Sequence, residues 1–141
     1  MGLDLTKVMV LLQRKYSSIR EISRLTNELK ETFARNDEVS AVMLLEMRAE
    51  EMAKVDACVD EIWRQAGADR AAMQKLRTLL TADPAKASGN GPEEKKIYEI
   101  RRKTQVLLEE VRMADQKLNR SVAREKSFYG AGEKEKRPVR V

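Results

Sequence analysis

Side chains that could carry chemistry are few in this sequence. None of the 141 residues is a histidine, which excludes Ser-His-Asp and Cys-His catalysis and every histidine-ligated metal site. Cys58 is the only cysteine, so neither an intrachain disulfide nor a cysteine-rich zinc site can form. We therefore expect no metal and no cofactor.

Pairs of adjacent carboxylates, such as Glu50-Glu51, Asp60-Glu61 and Glu109-Glu110, are the remaining candidates for acid/base chemistry. Adjacent residues on a helix point about 100° apart, which is typical of a solvated face and not of a cooperating pair. Cys58 lies beside Val59, near an apolar stripe, where a small buried hydrophobe is favoured over a nucleophile. The sequence predicts a protein that is not an enzyme.

One enzymatic alternative stays open. The stretch from Met47 to Ile62 is superficially similar to the first helix of AroQ-type chorismate mutases. Such enzymes bind a dianion with several convergent Arg and Lys side chains. Here another long helix precedes the stretch, and no matching downstream set of basic and glutamine residues can be assigned. An assay of chorismate binding and turnover tests this alternative.

Composition indicates helices. Hydrophobic residues make up 42% of the chain and charged residues 36%, but aromatics only 4%, which is typical of long amphipathic helices and not of a β sandwich. The apolar run from Val8 to Leu12 is too short for a signal-peptide core or a membrane span. We therefore expect a reduced, soluble, cytoplasmic protein without a membrane span.

The net charge of +5 is unevenly distributed. Residues 37–91 carry seven Lys/Arg and ten Asp/Glu, whereas residues 1–36 carry seven and four, and residues 92–129 carry ten and seven. An acidic middle between two basic segments indicates charge complementarity within one helical bundle. A nucleic-acid face would show a basic stripe of one sign, so nucleic acid is disfavoured as a partner.

Seven-residue spacing of apolar side chains predicts a first helix over residues 3–35. Asp37 is a suitable N-cap for a second helix, whose expected apolar stripe ends near Gly67 and contains Leu45, Met52, Val55, Val59 and Ile62. Arg48 occupies a row where an apolar residue is expected. We interpret it as a side chain that covers apolar surface with its stem, the alternative being a dedicated site.

Asp69 is expected to cap a short third helix that stops at Asp83-Pro84, and residues 84–92 read as a linker. Pro92 then begins the last helix, whose heptad row holds Ile97, Ile100, Thr104, Leu107, Val111, Ala114 and Leu118. Gly130 and Gly132 are expected to end this helix after Tyr129, leaving residues 130–141 as a disordered basic tail.

These elements predict an all-α fold, an antiparallel up-down-up bundle of three long helices with one short extra helix. Residues 1–129 would form a single helical-bundle domain. Methionines on or beside the stripes are suited either to filling the core or to an adaptable surface for partner helices. Leu11, Leu44 and Leu108, beside the main stripes, would widen such a surface.

Two segments resemble the FlgN/FliT group of flagellar type III export chaperones. One begins at the polar turn Asn36-Asp37 and continues to Asp56, and the other runs from Leu107-Leu108-Glu109-Glu110-Val111 to Tyr129. The resemblance covers nearly the whole chain, with Asp115 where the family pattern has an asparagine. It implies a cytoplasmic chaperone that holds the amphipathic C-terminal helix of a hook-associated or filament-cap subunit and docks on the export gate.

The resemblance also implies roles for particular residues. Phe128 and Tyr129 would dock on the export gate, unless they only close the last turn of the bundle. A client-binding groove would be lined from the last helix by Leu107, Leu108, Val111, Leu118 and Val122. The alternative function is that of a homodimeric coiled-coil structural or adaptor protein, because the heptads of residues 97–122 would equally suit a self-paired seam.

Overall fold

The computed structural model of the protein describes the backbone of residues 2–133 and the side chains of residues 2–122. Over this part the chain forms four helices and no strand: α1 (Leu5–Ala34), α2 (Glu38–Arg64), α3 (Arg70–Thr81) and α4 (Gly91–Glu133). The all-helical prediction is confirmed. None of the helices in this part is long and apolar enough to cross a membrane.

Aspartate side chains begin three of these helices. Asp37 accepts a hydrogen bond from the Ser40 N–H, and Asp69 accepts from the Ala71 and Ala72 N–H groups, as the sequence predicts. Asp4 caps α1 in the same way, so this helix begins at Leu5 and not two residues earlier. Each carboxylate satisfies backbone donors that have no partner within their own helix.

Three hydrophobic clusters follow one another along the bundle. The lower cluster joins all four helices and contains Val8, Leu11, Leu12, Ile62, Ala66, Ala72, Leu76, Leu79, Ile97, Tyr98 and Ile100. The middle cluster is formed by Ile19, Ile22 and Val111, with Val55 and Leu107 packed against it. The upper cluster is formed by Leu25, Leu29, Ala41, Leu44 and Leu118.

The clusters make α1 the central helix. Moving up the bundle, residue numbers rise along α1 and α4 but fall along α2. α1 packs along both α2 and α4, whereas α2 and α4 approach each other less closely than either approaches α1. A groove therefore lies between α2 and α4, with α1 beneath it.

The linker after α3 is held against α4 by two consecutive arginines. Nη1 of Arg101 donates to the carbonyls of Leu79 and Ala82 at 2.8 and 2.6 Å. Nη1 of Arg102 donates to the carbonyls of Pro84 and Ala87 at 2.9 and 3.3 Å. These bonds satisfy carbonyls at the C-terminal end of α3 and in the turn that follows, so the linker lies on the bundle.

Two sequence expectations are corrected by the fold. α4 continues through Gly130 and Gly132 to Glu133, because glycine lowers helix propensity by about 1 kcal/mol without removing a hydrogen-bond donor. The rest of the expected disordered tail, residues 134–141, lies outside the described residues. In the N-terminal half of α2 the buried face contains Leu44, while Leu45 and Met52 of the predicted stripe are exposed. In the C-terminal half the stripe is correct, because Ile62 is buried and Val55 packs against the middle cluster.

Candidate functional site

α2 exposes more large apolar side chains than it buries. Its buried residues are Ala41, Leu44 and Ile62. Its exposed ones are Val39, Val42, Met43, Leu45, Met47 and Met52. Single exposed hydrophobes are ordinary, whereas several on one helix make that helix a candidate binding surface.

A cleft of about 320 Å³ opens in the lower part of the groove. Leu12 and Lys15 of α1 form its floor, and Leu80 and Pro84 lie at its lower end. The walls come from Val59, Ile62 and Trp63 of α2 and from Arg101, Thr104, Gln105 and Leu108 of α4. The lining is therefore mainly apolar, with cationic side chains from two of the helices.

Helical spacing extends both walls above the cleft. Residues seven apart lie in nearly the same row of a helix. On α2, Met52 and Leu45 follow Val59 in one row and are 40% and 45% exposed. On α4, the row that contains Arg101 and Leu108 continues to Asp115.

An ion pair between α2 and α4 bridges the groove at a level above Met52 and below Leu45. Nη2 of Arg48 donates to Oδ1 and Oδ2 of Asp115 at 2.7 and 2.6 Å. The Arg48 side chain is only 15% exposed, and its Nε is buried without a hydrogen-bond partner in the described structure. The guanidinium is thus bound across the groove. A side chain that only covers apolar surface with its stem would extend its head group into water, so that interpretation of Arg48 is wrong.

Lys15 is a cation in the core row of α1. Val8, Ile22 and Leu29 precede and follow it at heptad spacing and are buried, whereas Lys15 is half-buried and faces the cleft. Burial lowers the pKa of Lys15 below its ordinary value of 10.5, the charge of Arg101 lowers it further, and Cys58 acts in the opposite direction. The two cations therefore share one poorly solvated space.

Arg101 forms the other cationic part of the cleft. Burial lowers the pKa of its guanidinium, while Tyr98 and Asp83 oppose that shift. The guanidinium carbon lies 5.9 Å from the centre of the Tyr98 ring, close enough for a cation–π contact. Together with the carbonyls of Leu79 and Ala82, these contacts hold the head group in place.

Residues predicted to line the client groove are distributed differently. Val111 and Leu118 are buried in the middle and upper clusters, and Leu107 packs half-buried against the middle one. Val122 is half-buried. Leu108 is 45% exposed and lines the cleft. The heptad row of α4 packs on α1. Leu107 also lines a second, shallower depression of about 360 Å³, which α1 and α4 form without α2; its other lining residues are Tyr16, Arg102, Lys103, Val106 and Glu110.

Other sequence expectations have mixed outcomes. Leu11 and Leu44, expected to widen an exposed surface, are buried in the lower and upper clusters. Phe128 and Tyr129 lie on the helical backbone of α4, but their side chains are outside the described residues. Their predicted role at an export gate stays a prediction.

Sequence reasoning left open whether the methionines of α2 belong to the core or to a partner surface, and it gave Lys15 no role. A signal for both existed: α2 has more apolar residues than one stripe can hold, and Lys15 occupies a core row between Val8 and Ile22. Within the described residues, no three Asp, Glu or Cys side chains lie close enough together to hold a metal ion. The geometry is that of a binding groove.

Comparisons with known proteins add no identification. No protein-family model matches the chain, and no curated protein or solved structure is significantly similar to it. The groove and its charges are consequently the observations from which a function is argued.

Proposed function

We propose that the protein is a non-catalytic, cytoplasmic chaperone that holds an amphipathic helix of a partner protein in the groove between α2 and α4. The observation that carries this proposal is the apolar wall of α2. Leu45 and Met52 are exposed in the helical row of Val59, which lines the cleft opposite Leu108. An amphipathic helix laid into such a groove is a common mode of peptide recognition.

The arrangement of the bundle supports this reading. We infer an up-down-up arrangement of α1, α2 and α4, because the order of the three clusters reverses along α2 and not along α4. In such a bundle one outer helix is antiparallel to the other, and a client helix can lie along both. The groove then extends over several helical turns and exceeds the cleft itself in length.

The similarity to FlgN/FliT chaperones gives the proposal its particular client. The partner would be the C-terminal helix of a hook-associated or filament-cap subunit, delivered by the chaperone to the type III export gate. An interface of about 1,600 Å² is of standard size for stable association. Micromolar to nanomolar affinity would suit a client that must be released, and exposed methionines can repack around more than one side-chain shape.

Native mass spectrometry after co-expression tests the client. The chain is expressed with C-terminal helices from hook-junction, filament-cap and flagellin subunits in turn. We expect a stable one-to-one complex with one of them. If no complex forms with any helix, this function is wrong.

A matched pair of substitutions tests the position of the groove. Met52 and Met43 lie on the same helix and are both exposed, but only Met52 continues the cleft row of Val59. We expect Met52→Asp to weaken client binding at least about tenfold and Met43→Asp to leave it unchanged. Leu108→Asp and Met113→Asp form the equivalent pair on α4, because Met113 is exposed and lies outside the row of Leu108. Equal effects within each pair would mean that the client binds elsewhere.

The competing proposal is a homodimeric coiled-coil adaptor, which the exposed apolar residues of α2 also support. Sedimentation equilibrium separates the two, because a self-paired seam keeps the chain dimeric at high dilution while a chaperone binds its client as a monomer. For the export gate, we expect Tyr129→Ala to spare client binding and to weaken docking. Loss of both activities would mean that Tyr129 is structural.

A further inference from the structure

The cleft concentrates positive charge where the fold otherwise places apolar side chains. Lys15 takes a core position of α1 between Val8 and Ile22, both of which are buried. Arg101 contributes a second cation from α4 to the same cleft. Placing charged groups in a half-buried, mainly apolar space is unfavourable unless an opposite charge is provided.

No carboxylate of the described structure forms an ion pair with either cation, and Asp83 acts on Arg101 only at longer range. The cleft lining contains no Asp or Glu, and Lys15 makes no ion pair within residues 2–122. Nη1 of Arg101 is bound to the Leu79 and Ala82 carbonyls, and its other nitrogens make no hydrogen bond there. Positive charge is thus presented to whatever enters the cleft.

The walls of the cleft strengthen any ion pair formed inside it. Leu12, Val59, Trp63 and Leu108 surround the two cations with apolar surface, which lowers the local dielectric constant and increases the attraction between opposite charges. A charge-assisted hydrogen bond at this depth therefore contributes more than the same bond at an exposed lysine.

The dimensions restrict what can occupy the site. A volume of about 320 Å³ accommodates one or two side chains, whereas a helix with its side chains is about 10–12 Å across. A bound helix must therefore lie along the rim, on the rows that contain Met52 and Leu108, and direct a side chain into the cleft.

We propose that Lys15 and Arg101 bind a carboxylate, and that the occupant of the groove is a partner helix with an Asp or Glu within its apolar face. This inference rests on the proposed function for its occupant, and it is argued from charge complementarity and from the size of the cleft. Apolar contacts along the rim give affinity, and the buried acid sets the register of the helix.

Partner-free NMR tests the carboxylate site first. Lysines of the full chain are reductively dimethylated with ¹³C, which preserves their charge, and sodium acetate is titrated against sodium chloride at equal ionic strength. We expect acetate to shift the Lys15 methyl resonance and to leave that of exposed Lys30 in place. Equal responses to the two salts at Lys15 would overturn the site, whatever the fate of the proposed function.

Lys15→Met is expected to change two measured quantities in opposite directions, the melting temperature of the free chain and its affinity for the client. The substitution places an apolar side chain in a core row, so we expect the melting temperature of the free chain to rise. Binding of the client helix found by co-expression should fall about tenfold or more. Lys30→Met, on the same helix, should change neither quantity. A rise in melting temperature with unchanged binding would mean that Lys15 contacts no acid of the client.

A double-mutant cycle identifies the acid. Each Asp or Glu of the client helix is changed to Asn or Gln and measured against wild type and Lys15→Met. We expect one position to lose about tenfold in affinity against wild type and little against Lys15→Met. If the helix binds but no position couples, the carboxylate site is wrong and the chaperone function stands.

The same NMR experiment also tests two other occupants of the cleft, the chain's own C-terminal segment and a second copy of the chain. A shift of the Lys15 resonance on deletion of residues 134–141 would assign the site to the chain's own C-terminal segment. A shift that depends on protein concentration would assign it to a second copy. Either result overturns the partner-helix version.

Discussion

The guanidinium of Arg48 on α2 bonds both carboxylate oxygens of Asp115 on α4, although the two residues are 67 positions apart in the chain. The side chains are 15% and 33% exposed. This pair joins two helices that approach each other less closely than either approaches α1. It therefore sets the separation of the groove walls at its own level, between Met52 and Leu45.

Breaking the pair from one side should destabilise the protein. Asp115→Leu leaves the Arg48 guanidinium largely buried without an anion, and we expect a loss of about 1–3 kcal/mol in the free energy of unfolding. The double variant Arg48→Met/Asp115→Leu should recover most of that loss, because no charge is then left unpaired. Urea denaturation of the wild type, both single variants and the double variant measures the coupling.

The Glu109–Arg112 pair provides the control. Both side chains are more than half exposed and lie on one turn of α4. We expect Glu109→Gln to change stability by no more than about 0.5 kcal/mol. If Asp115→Leu is equally mild, the Arg48–Asp115 pair does not hold the two helices together.

Gly89 should tolerate no side chain. Its φ is +75°, and an added Cβ would lie 2.7 Å from the Cβ of Glu94. Gly67 has a φ of +57° but nothing within 4 Å of the same position. We expect Gly67→Ala to cost about 1–2 kcal/mol from backbone conformation alone, and Gly89→Ala to cost clearly more. Equal melting temperatures of the two variants would show that the linker shifts away from α4 without cost.

Arg102 should protect the linker from proteolysis. Its hydrogen bonds to the Pro84 and Ala87 carbonyls span Lys86, an exposed trypsin site. Arg102→Ala releases this segment from α4, so we expect faster tryptic cleavage after Lys86. Mass spectrometry of the digest over time measures the rate. Arg112→Ala, an exposed arginine further along α4, is the matched control. Unchanged cleavage in Arg102→Ala would mean that Arg101 alone is sufficient to hold the linker.

Asp37 should make the α1–α2 turn sensitive to acid. A hydrogen bond from the Ser40 side chain, with a second from its backbone N–H, lowers the pKa of Asp37 below its ordinary value of 3.8. The carboxylate form therefore stabilises the folded state above pH 3.8, and this contribution is lost as the pH falls through the lowered pKa. Asp37→Asn keeps a capping side chain but does not titrate.

Thermal unfolding as a function of pH measures this contribution. We expect the wild type to be more stable than Asp37→Asn near neutral pH and the difference to shrink as the pH falls below 3.8. A difference that does not depend on pH would mean that the charge of Asp37 contributes nothing beyond its hydrogen bonds.

Local features of the fold could be predicted from the sequence. The caps at Asp37 and Asp69 depend on hydrogen bonds to residues two or three positions away, and the stop at Asp83-Pro84 depends on proline sterics. Helix periodicity depends on residues three, four and seven apart. Such short-range determinants are readable because the residues involved remain neighbours whatever the tertiary structure becomes.

Which face of α2 is buried could not be predicted from local sequence in this way. Leu44 and Leu45 are adjacent and equally apolar, so periodicity alone accommodates either as the buried one. Packing against Leu25, Leu29 and Leu118 selects Leu44, and Leu45 is left exposed. Which of two similar stripes is buried is decided by partners on other helices.

Long-range polar contacts depended on the tertiary structure altogether. Arg48 forms an ion pair with Asp115, and Arg101 donates hydrogen bonds to carbonyls at the end of α3. Lys15 faces a cleft between two other helices. Each charge was visible in the sequence, but its partner or lack of one follows from the register of helices far apart in the chain. Helix type and boundaries are local properties, whereas the groove exists only because α2 and α4 both pack on α1 and leave a space between them.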